Sequence, residues 1–169
     1  PSPDGTPQWV LPSETIGGAA AALGGASLEE DPDFVVRKLP DKEPLPSLAG
    51  QAADLIAKGA AAAARNGFIH YYGPPGTIPQ ISYAQALSNT PAGFFRDKTV
   101  FIGASVSTFL QGQRKDDYRS PYSSRPNQFV SGLEVQATIF LNLIRREWLR
   151  AFPPWLQSVS SVLLTAPII

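Results

Sequence analysis

Residues 98–107 read KTVFIGASVS. Thr99, Val100, Phe101 and Ile102 form a short apolar run rich in β-branched and aromatic side chains, bounded by the charged turn Arg96-Asp97-Lys98 and by Gly103. Such a run predicts a strand buried on both faces. Gly103, Ala104 and Ser105 turn backbone N–H groups outward at the carboxyl end of that strand, where open α/β sheets bind their ligands. A long polar loop follows as far as Pro121 and brings in Asp117. Gly103, Ala104, Ser105 and Asp117 are therefore the candidate ligand contacts. With the other elements arranged as cover for this strand, the expected fold is α/β. It has a mixed sheet of about four to five strands flanked by helices, the long loop after the central strand, and a C-terminal helix that enters a membrane.

The totals bound the function classes. The chain has 169 residues, with 14 basic and 14 acidic side chains. That length carries one domain with a sizeable core. Charge balance leaves no electrostatic footprint for nucleic acid and no strong pull toward an anionic lipid surface. The absence of cysteine excludes disulfides and thiolate metal sites, and it leaves periplasm and cytoplasm equally open. Seventeen prolines, about twice ordinary usage, describe a loop-rich domain. The first residue is Pro1 and no signal peptide follows. The chain is expected to be a processed product, part of something longer, or an expressed fragment.

Taken in order, residues 1–12 hold four prolines without a period and predict an extended arm, with Trp9, Val10 and Leu11 free to pack. Ser13 and Glu14 start a short helix through an Ala-rich run to Leu23. Gly17 and Gly18 weaken it by roughly 1 kcal/mol each. Residues 26–28 and 34–39 predict two strands around an acidic turn, Glu29-Glu30-Asp31-Pro32-Asp33. A metal loop would need alternating carboxylates around a glycine, so the turn reads as solvated. Residues 46–64 predict a helix capped by Ser47, with Leu48, Ala52, Leu55 and Ile56 on one face. Residues 67–72 (GFIHYY) predict a strand, 73–77 (GPPGT) a rigid turn, and 82–87 a helical turn or two. Ser131 and Glu134 stand at capping-box spacing. The helix they open, to about Arg146, places Leu133, Ala137, Phe140, Leu141, Ile144 and Trp148 on one stripe. Arg145, Arg146 and Arg150 suit its C-terminal end.

Four motifs suggest chemistry. GPPGT follows a strand as phosphate loops do, yet Ile78-Pro79-Gln80 stands where the lysine and hydroxyl should be, and Pro79 blocks the helix start. Gly103-Ala104-Ser105 resembles a nucleophile elbow. It lacks the second glycine, and the single histidine, His70, precedes the serine within a predicted strand. Asp116 and Asp117, with Arg114, Lys115 and Arg119, form either a polar site at the strand end or a loop of mutually neutralising charges. Tyr71, Tyr72, Tyr83, Phe94 and Phe95 line a cleft or fill a core, and aromatics at this density favour the core. No catalytic residue, metal ligand or cofactor is assigned.

From Trp155 to Ile169 the chain is uncharged. As a helix these residues would span roughly 22 Å at about 1.5 Å per residue, short of a bilayer core of about 30 Å. The arginines before Phe152-Pro153-Pro154 stay in water. Trp148 and Trp155 suit the headgroup layer, and Leu156, Leu163 and Leu164 suit the lipid. Membrane lipid is the expected partner of this segment. The domain plan is an arm over 1–12, an α/β domain over 13–152 and the start of a membrane-associated helix over 153–169.

Several segments together resemble the second type of CHASE domain, the cyclase- and histidine-kinase-associated sensory extracellular domain. They are residues 31–37 (DPDFVVR), 46–49 (PSLA), 69–79 (IHYYGPPGTIP), 81–83 (ISY), 95–104 (FRDKTVFIGA), 117–121 (DYRSP), 132–134 (GLE) and 148–155 (WLRAFPPW). Phe34 replaces a usual glycine, Gln136 stands where a histidine is common, and Ser120 replaces a threonine. The resemblance spans the C-terminal half of such a domain. It implies a bacterial, periplasmic, non-enzymatic sensor or sensor remnant, followed in a parent chain by a transmembrane helix and a cytoplasmic cyclase or kinase. The alternative is a structural accessory subunit on the periplasmic face of a respiratory, photosynthetic or other membrane complex. Half a sheet leaves an open edge, so a protein partner is expected to cover it.

Overall fold

A computed structural model describes residues 10–39, 46–62, 67–104, 116–123 and 128–151. Its elements in chain order are α1 (Glu14–Ala19), α2 (Leu48–Ile56), α3 (Tyr83–Ser88), β1 (Asp117–Tyr118), β2 (Val130–Ser131) and α4 (Gly132–Arg145). The core sits around α4. Val135, Ile139, Phe140 and Leu143 pack there with Val36, Ala49, Ala53, Ala60, Ile69, Tyr71 and Val130.

The expected sheet of four to five strands is not present. Among the described residues the only ladder joins β1 and β2, antiparallel, with Asp117 opposite Ser131 and Tyr118 opposite Val130. Single bridges continue outward from it, Val35 to Arg119, Lys38 to Phe68 and Phe68 to Leu149, without growing into strands. The predicted central strand is not among them. Residues 99–102 have no strand partner, and Val100 and Ile102 are 47% and 76% exposed rather than buried on both faces. Phe101 alone reaches the core, its ring edge-on to Phe140 at 5.4 Å. An apolar run becomes a strand only when another backbone offers it hydrogen bonds, and among the described residues none does. No helix among the described residues is long and apolar enough to cross a membrane. The membrane-entering helix expected over 153–169, and the arm over 1–9, lie outside the described residues.

The N-terminus of α2 shows why this region folds as it does. A helix start leaves backbone donors without intrahelical partners. Here Leu48 N–H donates to the Gly25 carbonyl at 2.7 Å, Ala49 N–H to Gln136 Oε1 at 3.3 Å, and Gly50 N–H to Ser47 Oγ at 3.1 Å. The Gly25 contact depends on Gly24, whose Cβ, if it had one, would lie 2.7 Å from the Leu48 Cα. The face buried is Ala49, Gly50 and Ala53, not the expected Leu48–Ala52–Leu55–Ile56 stripe, and Leu55 and Ile56 are exposed. Small residues win because α2 packs closely on α4. The helix also stops at Ile56 rather than reaching Ala64, since Ala57 is extended and Gly59 takes φ +83°.

α4 is buried nearly all round, from Glu134 to Phe140 and again at Asn142 and Leu143. Ser131 caps it by accepting from Glu134 N–H at 3.2 Å, and Gly132 N–H donates to the Asp116 carbonyl at 2.9 Å. The expected capping box is only half made, because the Glu134 carboxylate is engaged elsewhere. Asn142, 1% exposed, satisfies both backbone groups of His70 as a strand neighbour would. Its Oδ1 accepts from His70 N–H at 2.8 Å, and its Nδ2 donates to the His70 carbonyl at 3.0 Å. Arg146 ends the helix in the left-handed region, and Glu147 N–H returns to the Asn142 carbonyl at 3.0 Å.

Two outcomes follow for stability in urea titrations. Asn142→Ala should cost about 3 kcal/mol, because it strands two backbone groups of His70 away from water. Phe34 sits at φ +64° and is 65% exposed. Phe34→Gly should therefore raise stability by about 1 kcal/mol, since the strain of a left-handed side-chain-bearing residue is relieved with little packing lost.

Candidate functional site

The described polar chemistry gathers at three places, and the first is the N-terminal turn of α4. Pro75 and Gly76 occupy the centre of a turn closed by Thr77 N–H donating to the Pro74 carbonyl at 3.1 Å. Gly76 takes φ +88°, as the third position of a type II turn requires. The turn exposes backbone donors on its inner side, and the buried Glu134 carboxylate fills them. Gly76 N–H donates to both carboxylate oxygens at 2.9 and 3.0 Å. Ile78 N–H donates to Oε1 at 3.2 Å, and Gln80 Nε2 to Oε2 at 3.2 Å. Residues 76–80 thus cradle the carboxylate of the same chain, with the Gly76 turn of GPPGT at one side of it.

The second place is the far end of α4. Tyr72 hydroxyl donates to Glu147 Oε2 at 2.8 Å and accepts from Asn142 Nδ2 at 3.2 Å. His70 stacks at a tilt on Tyr72 at 5.2 Å, and the Arg145 guanidinium lies 5.3 Å from the same ring. Partial burial, then the Glu147 carboxylate, raises the Tyr72 hydroxyl above its ordinary pKa, so it stays a donor. Burial likewise raises Tyr71, whose hydroxyl donates to the Val36 carbonyl at 2.8 Å. These phenols hold structure together and carry no activated proton.

The third is the acidic turn. Arg37 takes Asp33 in a two-pronged grip at 2.7 and 2.6 Å and reaches Asp31 at 2.9 Å. The Arg37 hydrogen bonds draw the Asp33 carboxyl down to about 2. No group of three or more metal-ligating side chains occurs among the described residues.

The sequence-derived ligand contacts fall near the first of these places. Gly103 and Ala104 are exposed, and a Cβ on Gly103 would sit 3.0 Å from Leu133 Cδ1. Asp117 is half-buried on β1, opposite Ser131. Both therefore border the start of α4, while Ser105 lies outside the described residues. Of the membrane-interface set, Trp148 packs half-buried against the core and beside Gly67. Trp155, Leu156, Leu163 and Leu164 lie outside the described residues. Sequence reading missed Glu134, Gln136 and Asn142 as internal partners. The available signal was their polarity inside a stretch of α4 that is otherwise apolar.

The family model of the CHASE2 domain matches residues 5–169. The chain belongs to the CHASE2 family. CHASE2 domains are sensory domains of signalling proteins, typically extracellular or periplasmic. Comparison with curated proteins and with solved structures returns no match. Phe34, where the sequence resemblance implies a glycine, takes φ +64°, the left-handed region that favours glycine.

The Asp33 grip has a pH signature. A carboxyl lowered in the folded state stabilises fully above its unfolded value, here 3.8, and that contribution disappears as pH falls through about 2. Carboxyl NMR should show Asp33 titrating near 2, and Arg37→Gln should return it toward 3.8. An Asp33 midpoint that ignores the Arg37 substitution would rule out this origin for the shift.

Proposed function

We propose that this CHASE2 chain is a non-enzymatic, extracytoplasmic sensory domain of a bacterial signalling protein. The observation that carries the reading is the family match over residues 5–169. The internal chemistry supports it. The buried polar groups Glu134, Gln136, Asn142 and Tyr71 are each engaged by backbone partners of the fold. A small-molecule signal would meet the protein at Gly103, Ala104 and Asp117, beside the start of α4. There a bound ligand bears on the helix that organises the core.

Location is tested with reporters inserted after Ser88, an exposed position, in the full-length parent protein. Alkaline phosphatase, active only outside the cytoplasm, should be active there, and a cytoplasm-dependent fluorescent reporter should be dark. The reverse pattern would defeat the extracytoplasmic reading. Ligand contact is tested by thermal-shift screening of small metabolites. Ala104→Trp should abolish the shift of any hit while leaving the unliganded melting temperature within about 2 °C, as expected of an exposed substitution. An undiminished shift would move the site elsewhere.

A further inference from the structure

We propose that residues 73–80 form a carboxylate receptor filled in cis by Glu134, and that its occupancy decides whether the exposed arm over residues 81–100 is fastened to α4. The receptor is built from two backbone donors and one side-chain amide, Gly76 N–H, Ile78 N–H and Gln80 Nε2, all converging on one carboxylate at 2.9 to 3.2 Å. None of these donors carries a charge. The group they suit is a monoanion of carboxylate shape; a phosphate dianion would bring a second charge that none of them neutralises. Gly76 is central because its φ of +88° aims the N–H inward, a conformation that side-chain-bearing residues rarely adopt.

The arm begins where the receptor ends. From Gln80 the chain enters a stretch shaped by local bonds. The Ser82–Gln85 capping box opens α3, Ser88 and Thr90 hydroxyls donate to carbonyls four residues back, and a turn follows around Gly93. Nearly all of residues 81–100 are exposed, including Tyr83 and Leu87. The arm's other foot is the Phe101 ring on Phe140. Both feet thus stand on α4, one polar and one aromatic. Among the described residues these two feet join residues 81–100 to α4, so opening the polar one loosens the arm while leaving the apolar packing of α4 in place. This inference stands on geometry alone and does not require the sensory reading.

The test is hydrogen exchange, read by mass spectrometry, on the full chain and on Glu134→Gln and Glu134→Ala. Both variants should exchange at least tenfold faster over residues 76–100, with peptides covering 135–145 unchanged. Sodium formate at tens of millimolar should restore protection in Glu134→Ala, whose receptor is vacant, and should leave the wild-type protein unaffected. Formamide, similar in shape but uncharged, should restore nothing. Wild-type exchange over 76–100 in both variants would overturn the fastening role. Lost protection throughout α4 in both would make Glu134 a general support of the core and would overturn it equally. Failure of formate to act on Glu134→Ala, or an equal effect on wild type, would overturn the receptor.

Discussion

A buried backbone amide or carbonyl must find a hydrogen bond, and in this CHASE2 domain the side chains of one helix provide many of them. The described sheet is a two-stranded ladder of two residues a side, and beyond it the described extended segments pair only at isolated bridges. Instead α4 sends Glu134 to the 73–80 loop, Gln136 to Ala26 and Ala49, and Asn142 to His70. These bonds satisfy a helix start at Ala49, the turn at Gly76 and the backbone of His70. An unsatisfied buried group costs roughly 1–3 kcal/mol, so three bifunctional side chains weigh heavily against a marginal net stability.

This arrangement explains why α4 is not amphipathic in the ordinary sense. A helix with one apolar stripe faces a core on one side and water on the other. Here Gln136 meets α2 and the segment at Ala26, Asn142 meets residues 67–72, and Glu134 meets the loop at Gly76, so several faces are enclosed. The remaining turns are filled by Val135, Ile139 and Leu143. The partner helix α2 presents Ala49, Gly50 and Ala53, which let its backbone come close enough for Ala49 N–H to reach Gln136. Gln136 keeps a donor and an acceptor on one side chain and uses both.

The same economy bears on function. Acidic and phenolic groups that resemble reactive machinery in the sequence are turned toward the fold's own backbone, and Asp31 and Asp33 are turned toward Arg37. Among the solvent-facing segments, the arm over 81–100 and the Gly103–Ala104 exit both adjoin α4, through Glu134, Phe140 and Leu133. Both surfaces adjoin the helix on which the core depends. That is a reasonable architecture for a domain whose family reports conditions.

The sequence by itself determined the local punctuation and the family. Ser47, Ser82 and Ser131 start helices where a hydroxyl precedes a helical run, Pro75-Gly76 makes its turn, and the ordered segments from residue 31 to residue 155 carry the CHASE2 likeness that the family match bears out. These depend on neighbours a few residues apart, which is why they are legible. Only the tertiary structure decided which apolar run is buried and what each polar side chain holds. KTVFI reads as a central strand yet has no strand partner among the described residues, because pairing requires a second backbone that no local pattern can supply. Glu134 reads as half of a capping box, three residues from Ser131. It is drawn instead to Gly76, 58 residues away in sequence, where converging amides bind a carboxylate better than a single helix-start N–H does.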